Sequence, residues 1–177
     1  MLAASPAAAI AQPVPAPSAG DAIALATKIF QPTYREAIDS RCPKARTDAD
    51  AIGQNVATVD LNVLASAERD LMDCAKLPRL PRAKDQALYM QLGAAMSLYL
   101  IGARTSGPTQ KTALTYARQI VDVIAPDTRR LARADTMHND LDDTNDGIGT
   151  SYDPAVLRAD ATQLAPIIDS LLSTLPK

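Results

Sequence analysis

The chain has 177 residues, of which 47% are hydrophobic, and its formal net charge at pH 7 is −2. This length and composition suit one domain with a substantial hydrophobic core. The near-neutral charge, the lack of a long basic segment and an aromatic content of only 3% argue against nucleic acid or an anionic membrane surface as the partner.

The first twenty residues are uncharged and rich in Ala and Pro. Residues 7–11 have the small apolar character of the end of a secretory signal, and Ile10 stands between alanines as in a cleavage box. We therefore expect residues 1–20 to be a signal-peptide remnant and an Ala/Pro-rich leader, with cleavage after Ala11, and residues 21–177 to be the folded domain. An Ala/Pro-rich leader on a cytosolic protein is the alternative. The predicted location is the periplasm or the extracellular medium.

Apolar residues recur at three- and four-residue spacing from residue 21 onward, and no segment alternates like a strand. The sequence therefore predicts an all-α fold, a single-domain irregular bundle of about six helices. The first helix is predicted to start with Asp21 as its N-cap and to kink or restart at Pro32, before a loop at 41–47. The second helical region, about 48–76, has one apolar face and a charged back.

The central element of the bundle is predicted at residues 83–103. It follows a corner that Pro78 and Pro81 exclude from helix, and it is apolar nearly all the way round, which is typical of a helix with neighbours on several sides. Met90 and Met96 serve as core filler in this pattern. The longest apolar run is too short to cross a bilayer, so no membrane span is predicted.

Three more helices complete the predicted bundle. The fourth starts at Pro108, which suits a first helical turn, and a short helix covers about 127–137. The last helix opens with Asp153 as N-cap and Pro154 in its first turn, and a kink is expected at Pro166.

Cys42 and Cys74 are the two cysteines of the chain. In an exported protein two cysteines most simply form one disulfide. A single straight helix over 48–76 would place Cys74 roughly 40 Å from the helix start near Cys42, whereas bridged Cα atoms lie within about 7 Å. Either the helix is broken, at 53–55 or 58–62 where helix propensity is low, or the bridge does not form within one chain; we favour the bridge and the break. A catalytic thiol is disfavoured because it needs a base and an orienting partner, and the chain has only one His that could serve as the base.

The segment 142–153, DDTNDGIGTSYD, combines several oxygen ligands with a glycine at a sharp turn, which is what a hard cation requires. We predict calcium as its cofactor. The predicted ligands, in order, are Asp142, Thr144, Asp146, Ile148 through its carbonyl, Thr150 and Asp153, with Gly147 at the turn. The alternative is that the segment is turn chemistry followed by a helix cap.

Over these twelve residues the segment resembles the calcium loops of EF-hands and dockerins, and its core, Asp146 to Gly149, is similar to the aspartate-rich repeats of thrombospondin type 3. The resemblance implies a calcium site. Thr144 stands where those loops carry Asp or Asn, and Asp153 stands where EF-hands carry a bidentate Glu. The implied site is therefore weak, which suffices in a compartment with millimolar calcium.

No catalytic signature is present, so the sequence favours an exported helical protein that acts by binding or scaffolding, with an unknown protein or small molecule as its partner. The alternative is a cell-envelope hydrolase with a carboxylate-based site that includes Asp140, Asp143 and Glu68. Asp70 and Asp73, at helical i,i+3 spacing, are predicted to face water. Close carboxylates with raised pKa values would favour the enzyme, whereas an exposed apolar patch would favour binding.

Overall fold

The computed structural model describes residues 18–79, 84–125 and 154–176, and over these ranges the chain is helical with no β-strand. In chain order the helices are α1 (Ala19–Ile29), α2 (Pro32–Arg35), α3 (Pro43–Gln54), α4 (Leu61–Ala75), α5 (Lys84–Arg104), α6 (Gly107–Ile124) and α7 (Pro154–Ser173). The predicted all-α bundle is confirmed. The predicted short helix at 127–137 lies outside the described residues.

α1 starts earlier than the sequence predicted, because its N-cap is Ser18 rather than Asp21. The Ser18 hydroxyl accepts a hydrogen bond from the Asp21 backbone N–H (3.3 Å), and the Asp21 carboxylate accepts one from the Ser18 backbone N–H (2.6 Å). This reciprocal capping box satisfies N–H groups that a helix start leaves without partners. The helix restarts at Pro32, as predicted.

α3 and α4 form a helical hairpin, so the second helical region is broken, as the favoured prediction had it. The break falls at residues 55–60 and overlaps both predicted break points, 53–55 and 58–62. Asp60 caps α4 by accepting a hydrogen bond from the Asn62 backbone N–H (2.7 Å). The prediction of a loop at 41–47 was wrong, because α3 already begins at Pro43. Proline suits this first turn, where its missing N–H would have no partner within the helix.

α5 is the central helix, as predicted from its apolar circumference. It packs against α1, α4, α6 and α7, and nearly every side chain from Tyr89 to Leu100 is buried. Met90 and Met96 are fully buried, so their prediction as core residues is confirmed. Two buried hydroxyls in this stretch donate to backbone carbonyls: Tyr89 to that of Ile29 (3.1 Å) and Ser97 to that of Gly93 (2.9 Å).

α6 and α7 complete the described bundle. α6 begins at Gly107, whose φ of 65° favours glycine, and Pro108 lies in its first turn as predicted. α7 begins at Pro154 and continues as one helix through Pro166. None of the described helices is long and apolar enough to cross a bilayer.

A half-buried ion pair joins α1 to α7, near the two ends of the described chain. Asp160 on α7 is 1% exposed, and its Oδ1 lies 2.6 Å from the Lys28 Nζ on α1. The other carboxylate oxygen, Oδ2, is buried without a hydrogen-bond partner. Lys28 is therefore the group that offsets the cost of burying this charge.

Candidate functional site

The two cysteines meet because α3 and α4 run in opposite directions. Cys42 is the N-cap of α3 and Cys74 lies in the last turn of α4, so folding back at residues 55–60 brings them together. They form a disulfide with a Cα–Cα distance of 6.0 Å. The predicted bridge and the predicted helix break are both confirmed, and the bridge requires the break.

A shallow cleft of about 270 Å³ opens beside this bond, and we call it the disulfide cleft. Its lining comes from the start of α3 and the end of α4 and comprises Arg41, Cys42, Pro43, Lys44, Ala45, Asp70, Asp73, Cys74 and Leu77. The two sulfurs are not equivalent, because Cys42 is partly exposed whereas Cys74 is 2% exposed. The cleft therefore gives solvent access to the disulfide from the Cys42 side.

Asp70 was predicted to face water, and this was wrong. Its carboxylate is largely buried and pairs with the Lys44 Nζ (3.0 Å) and the Arg69 Nε (3.1 Å). Burial alone would raise the pKa of Asp70, but hydrogen bonds from Lys44 and Arg69 hold it below its ordinary value. Asp73 is exposed and pairs with the Lys76 Nζ (3.0 Å). The acids of the cleft are thus ion-paired, which does not suit a general acid.

The basic edge of the cleft is anchored by Asp39. Its carboxylate accepts hydrogen bonds from the Arg41 guanidinium (2.7 and 3.0 Å) and from the Arg41 backbone N–H (2.9 Å). These bonds, the side-chain bond first, lower the pKa of Asp39 to about 2. Arg41 also donates to the Pro78 carbonyl (3.0 Å), which joins the start of α3 to the segment after α4.

Arg79 is a functional candidate that sequence reasoning missed. It folds back over the end of α4 and donates to the carbonyls of Ala75 (2.9 Å), Leu77 (3.0 Å) and Cys74 (2.6 Å). Its Nη2 also lies 3.7 Å from the Cys74 Sγ and 3.6 Å from the Met90 Sδ. Burial lowers its pKa from the ordinary value for arginine. Nothing in the sequence identifies this contact, since it depends on the path of the chain after the helix.

The predicted calcium ligands, residues 142–153, lie outside the described residues, and so do Asp140 and Asp143 of the alternative hydrolase site. Glu68 is described: burial, and then the nearby Asp73 charge, raises its pKa. Within 18–79, 84–125 and 154–176 no cluster of three or more His, Cys, Asp or Glu residues is arranged to hold a metal ion.

α6 carries a strip of three apolar side chains, two of which are well exposed. Tyr116 is 56% exposed and Val123 is 70% exposed. The partly buried Ile120 lies between them, four residues after Tyr116 and three before Val123. This spacing places all three on one side of the helix, and we call them the α6 ridge. The residues beside it, Thr109, Thr112 and Gln119, are exposed and uncharged. Helical periodicity alone could have located this ridge, but not its exposure.

Comparison with known proteins gives no match to a family model, to a curated protein or to a solved structure.

Proposed function

We propose that this protein is exported to the periplasm or the extracellular medium and acts there by binding or scaffolding a partner protein through the α6 ridge. The observation that carries the binding part is the exposure of Tyr116 and Val123 on one side of α6. Single exposed apolar residues are ordinary, but these two belong to a continuous strip two helical turns long.

The charge pattern of α6 supports a protein partner. Lys111, Arg118 and Asp122 lie away from the ridge, and Arg118 pairs with Asp122 and with Asp169 of α7. The ridge and its flanks are therefore uncharged. The centres of protein interfaces are depleted of charge and enriched in tyrosine, so the partner surface that fits is apolar and uncharged.

The acids of the cleft favour binding over the alternative hydrolase. Asp70 is paired with two cations, and Asp73 is paired with Lys76. A general acid at neutral pH needs a raised pKa and access to a substrate. Glu68 has the raised pKa but does not line the disulfide cleft.

The intrachain disulfide supports export, because such bonds persist in oxidising compartments. Export is tested by expressing the full chain, separating the cell fractions and measuring the intact mass. We expect an exported species that begins at Gln12, with both cysteines oxidised. A cytosolic protein that retains Met1 and has two free thiols would contradict export.

Binding is tested by placing a photo-cross-linking residue at position 123 and, as the matched control, at position 111, which is exposed on another side of α6. We expect illumination in the native cell to give a discrete adduct from position 123 that is absent from position 111. An adduct of twice the chain mass would identify the partner as a second copy. No adduct at 123, or the same adducts from both positions, would contradict the proposal.

The calcium loop is a second part of the proposal, and it rests on the sequence of residues 142–153. If only the native loop binds the ion, a hundredfold excess of calcium over its Kd adds about 2.7 kcal/mol of stability by mass action. We expect millimolar calcium to raise Tm by several degrees relative to EDTA, and Asp146→Asn to abolish the shift. Asp122→Asn, on α6, is the control. An unchanged Tm in calcium would leave the segment as turn chemistry.

A further inference from the structure

The environment of the disulfide is asymmetric in a way that a simple cross-link does not need. Both cysteines line the disulfide cleft, but Cys42 is partly exposed whereas Cys74 is 2% exposed. Thiol–disulfide exchange requires a thiolate to reach one sulfur while the other leaves with the electron pair. Of the two residues Cys42 is the more exposed, so its sulfur is the one that a thiolate reaches more easily, and the sulfur of Cys74 is then the leaving group.

The leaving sulfur has a cation beside it. The Arg79 Nη2 lies 3.7 Å from the Cys74 Sγ, and the hydrogen-bond partners given above for Arg79 are neutral carbonyls. Its Nε is buried without a hydrogen-bond partner. Within the described ranges no ion pair joins this guanidinium to a carboxylate. The Asp39 charge acts on this half-buried guanidinium without a salt bridge, so a thiolate at Cys74 would supply an anion in direct contact with it.

The attacked sulfur also lies at the positive end of a helix. Cys42 is the N-cap of α3, and its side chain makes no capping hydrogen bond, so the N-terminal end of the helix dipole acts on the sulfur. The charged side chains that line the cleft or act on Arg79 are Arg41, Lys44, Asp39, Asp70 and Asp73, and α5 contacts Arg79 through the neutral Met90. Each of these three acids already has its own cation, from Arg41, from Lys44 and Arg69, and from Lys76.

We propose that the Cys42–Cys74 bond is an exchangeable disulfide that accepts two electrons from a thiol substrate bound in the disulfide cleft. A substrate thiolate attacks the Cys42 Sγ, the new S–S bond forms, the Cys42–Cys74 bond breaks, and Cys74 leaves as a thiolate beside Arg79. A second substrate thiolate then attacks the substrate sulfur of this mixed disulfide and releases Cys42 as a thiolate. The substrate loses two protons and two electrons and becomes a disulfide, and the protein becomes a dithiol.

This inference does not rest on the α6 ridge, so the two proposals fail separately. The chemistry common to the substrates is a thiolate, which a small thiol such as glutathione or a cysteine in an unfolded peptide can supply. The shallow, open cleft admits either. Exchange with glutathione alone would assign the small thiol, whereas faster exchange with a reduced cysteine-containing peptide would assign a protein substrate.

The first test uses the unaltered protein. The oxidised chain is equilibrated with mixtures of reduced and oxidised glutathione at pH 6, 7 and 8, and the two thiols are counted by alkylation and mass spectrometry. We expect half-reduction at a glutathione ratio within the range found in cells. Stabilised thiolates also lose protons that glutathione keeps, so the equilibrium constant for reduction should rise with pH, by up to about tenfold per pH unit for each such thiolate. A constant that does not change with pH, or a bond that stays oxidised at every ratio, would make it a structural cross-link only.

The second test isolates the cation. Arg79→Met should lower the equilibrium constant for reduction about tenfold, which corresponds to about 30 mV for a two-electron couple, and Arg79→Lys should restore part of it. Arg118→Met, far along the chain on α6, is the matched control. Thermal melts of the oxidised variants verify folding. If Arg79→Met does not fold, the pH dependence of the unaltered protein decides the question. A folded Arg79→Met with an unchanged equilibrium constant would overturn the inference.

Discussion

The bond between Cys42 and Cys74 should contribute a large share of the stability of the fold. The cysteines are 32 positions apart, and in the chain-entropy model a loop of that length corresponds to about 3.7 kcal/mol at 25 °C. Replacing both by Ala also removes a buried sulfur at Cys74, which adds about 1 kcal/mol. We therefore expect the double variant to lose about 5 kcal/mol, or roughly 10 to 20 °C in Tm for a chain of this size.

The assay is urea unfolding of the oxidised protein and of the double alanine variant, followed by far-UV circular dichroism at neutral pH. The m-value of the variant should rise, since its unfolded chain is no longer cross-linked. A loss of free energy below about 1 kcal/mol would refute the reasoning, because it would mean that the unfolded chain gains little freedom when the bridge is absent.

Reduction of the unaltered protein separates the cross-link from the chemistry of its sulfurs. The reduced chain lacks the bridge but keeps both sulfurs near Arg79 and the start of α3. If the fold favours the thiolates, the free energy of unfolding of the reduced chain should rise from pH 6 toward pH 9, because the unfolded thiols hold their protons longer. The double alanine variant should show no such rise. Parallel pH profiles for the two proteins would contradict thiolate stabilisation.

Three further predictions concern the bundle that holds the cleft. Lys28→Met should lower the free energy of unfolding in urea by about 2 kcal/mol. This is less than the roughly 3–5 kcal/mol expected for a fully buried pair, because Lys28 is 44% exposed. Adding Asp160→Leu should recover most of the lost stability. Gly53→Ala should destabilise the fold by about 1 to 3 kcal/mol although Ala favours helix, because the new Cβ would clash with a backbone carbonyl at the end of α1. At Gly20 the Cβ of an alanine would make only ordinary van der Waals contacts, so Gly20→Ala should not destabilise the fold. The depressed pKa of Asp39, about 2, predicts stability that is present above about pH 4 and lost as pH falls toward 2, and Asp39→Asn should remove this part of the acid titration.

Much of the fold could be predicted from the spacing of apolar residues and from the positions of the two cysteines. The apolar circumference of 83–103 could belong only to a helix with several neighbours, and α5 has them. The break between α3 and α4 was predictable because the length of a helix and the reach of a disulfide are incompatible without it. Helix length and disulfide reach together therefore predicted the break between α3 and α4, which helix propensity alone could not have done.

The incorrect or missing predictions share a physical origin, because each depends on contacts that the spacing of residues along one helix does not encode. Ser18 was missed as the N-cap because a capping box depends on which of two nearby polar residues adopts the extended conformation. Asp70 was assigned to water because i,i+3 spacing describes one helix and says nothing of Lys44 on a neighbouring helix. Arg79 was missed because its partners are carbonyls and sulfurs, whose positions no residue pattern encodes.

The hairpin of α3 and α4 is held at both ends by different chemistry, and this bears on how the disulfide could exchange without unfolding the domain. At the open end the bridge joins the two helices. At the closed end Arg104 of α5 donates to the carbonyls of Val59 and Val56 in the turn, with 2.7 Å to the former. These charge-assisted bonds do not depend on the redox state of the cysteines. Reduction should therefore loosen the cleft and leave the turn docked on α5, so that the dithiol form remains a folded protein able to be oxidised again.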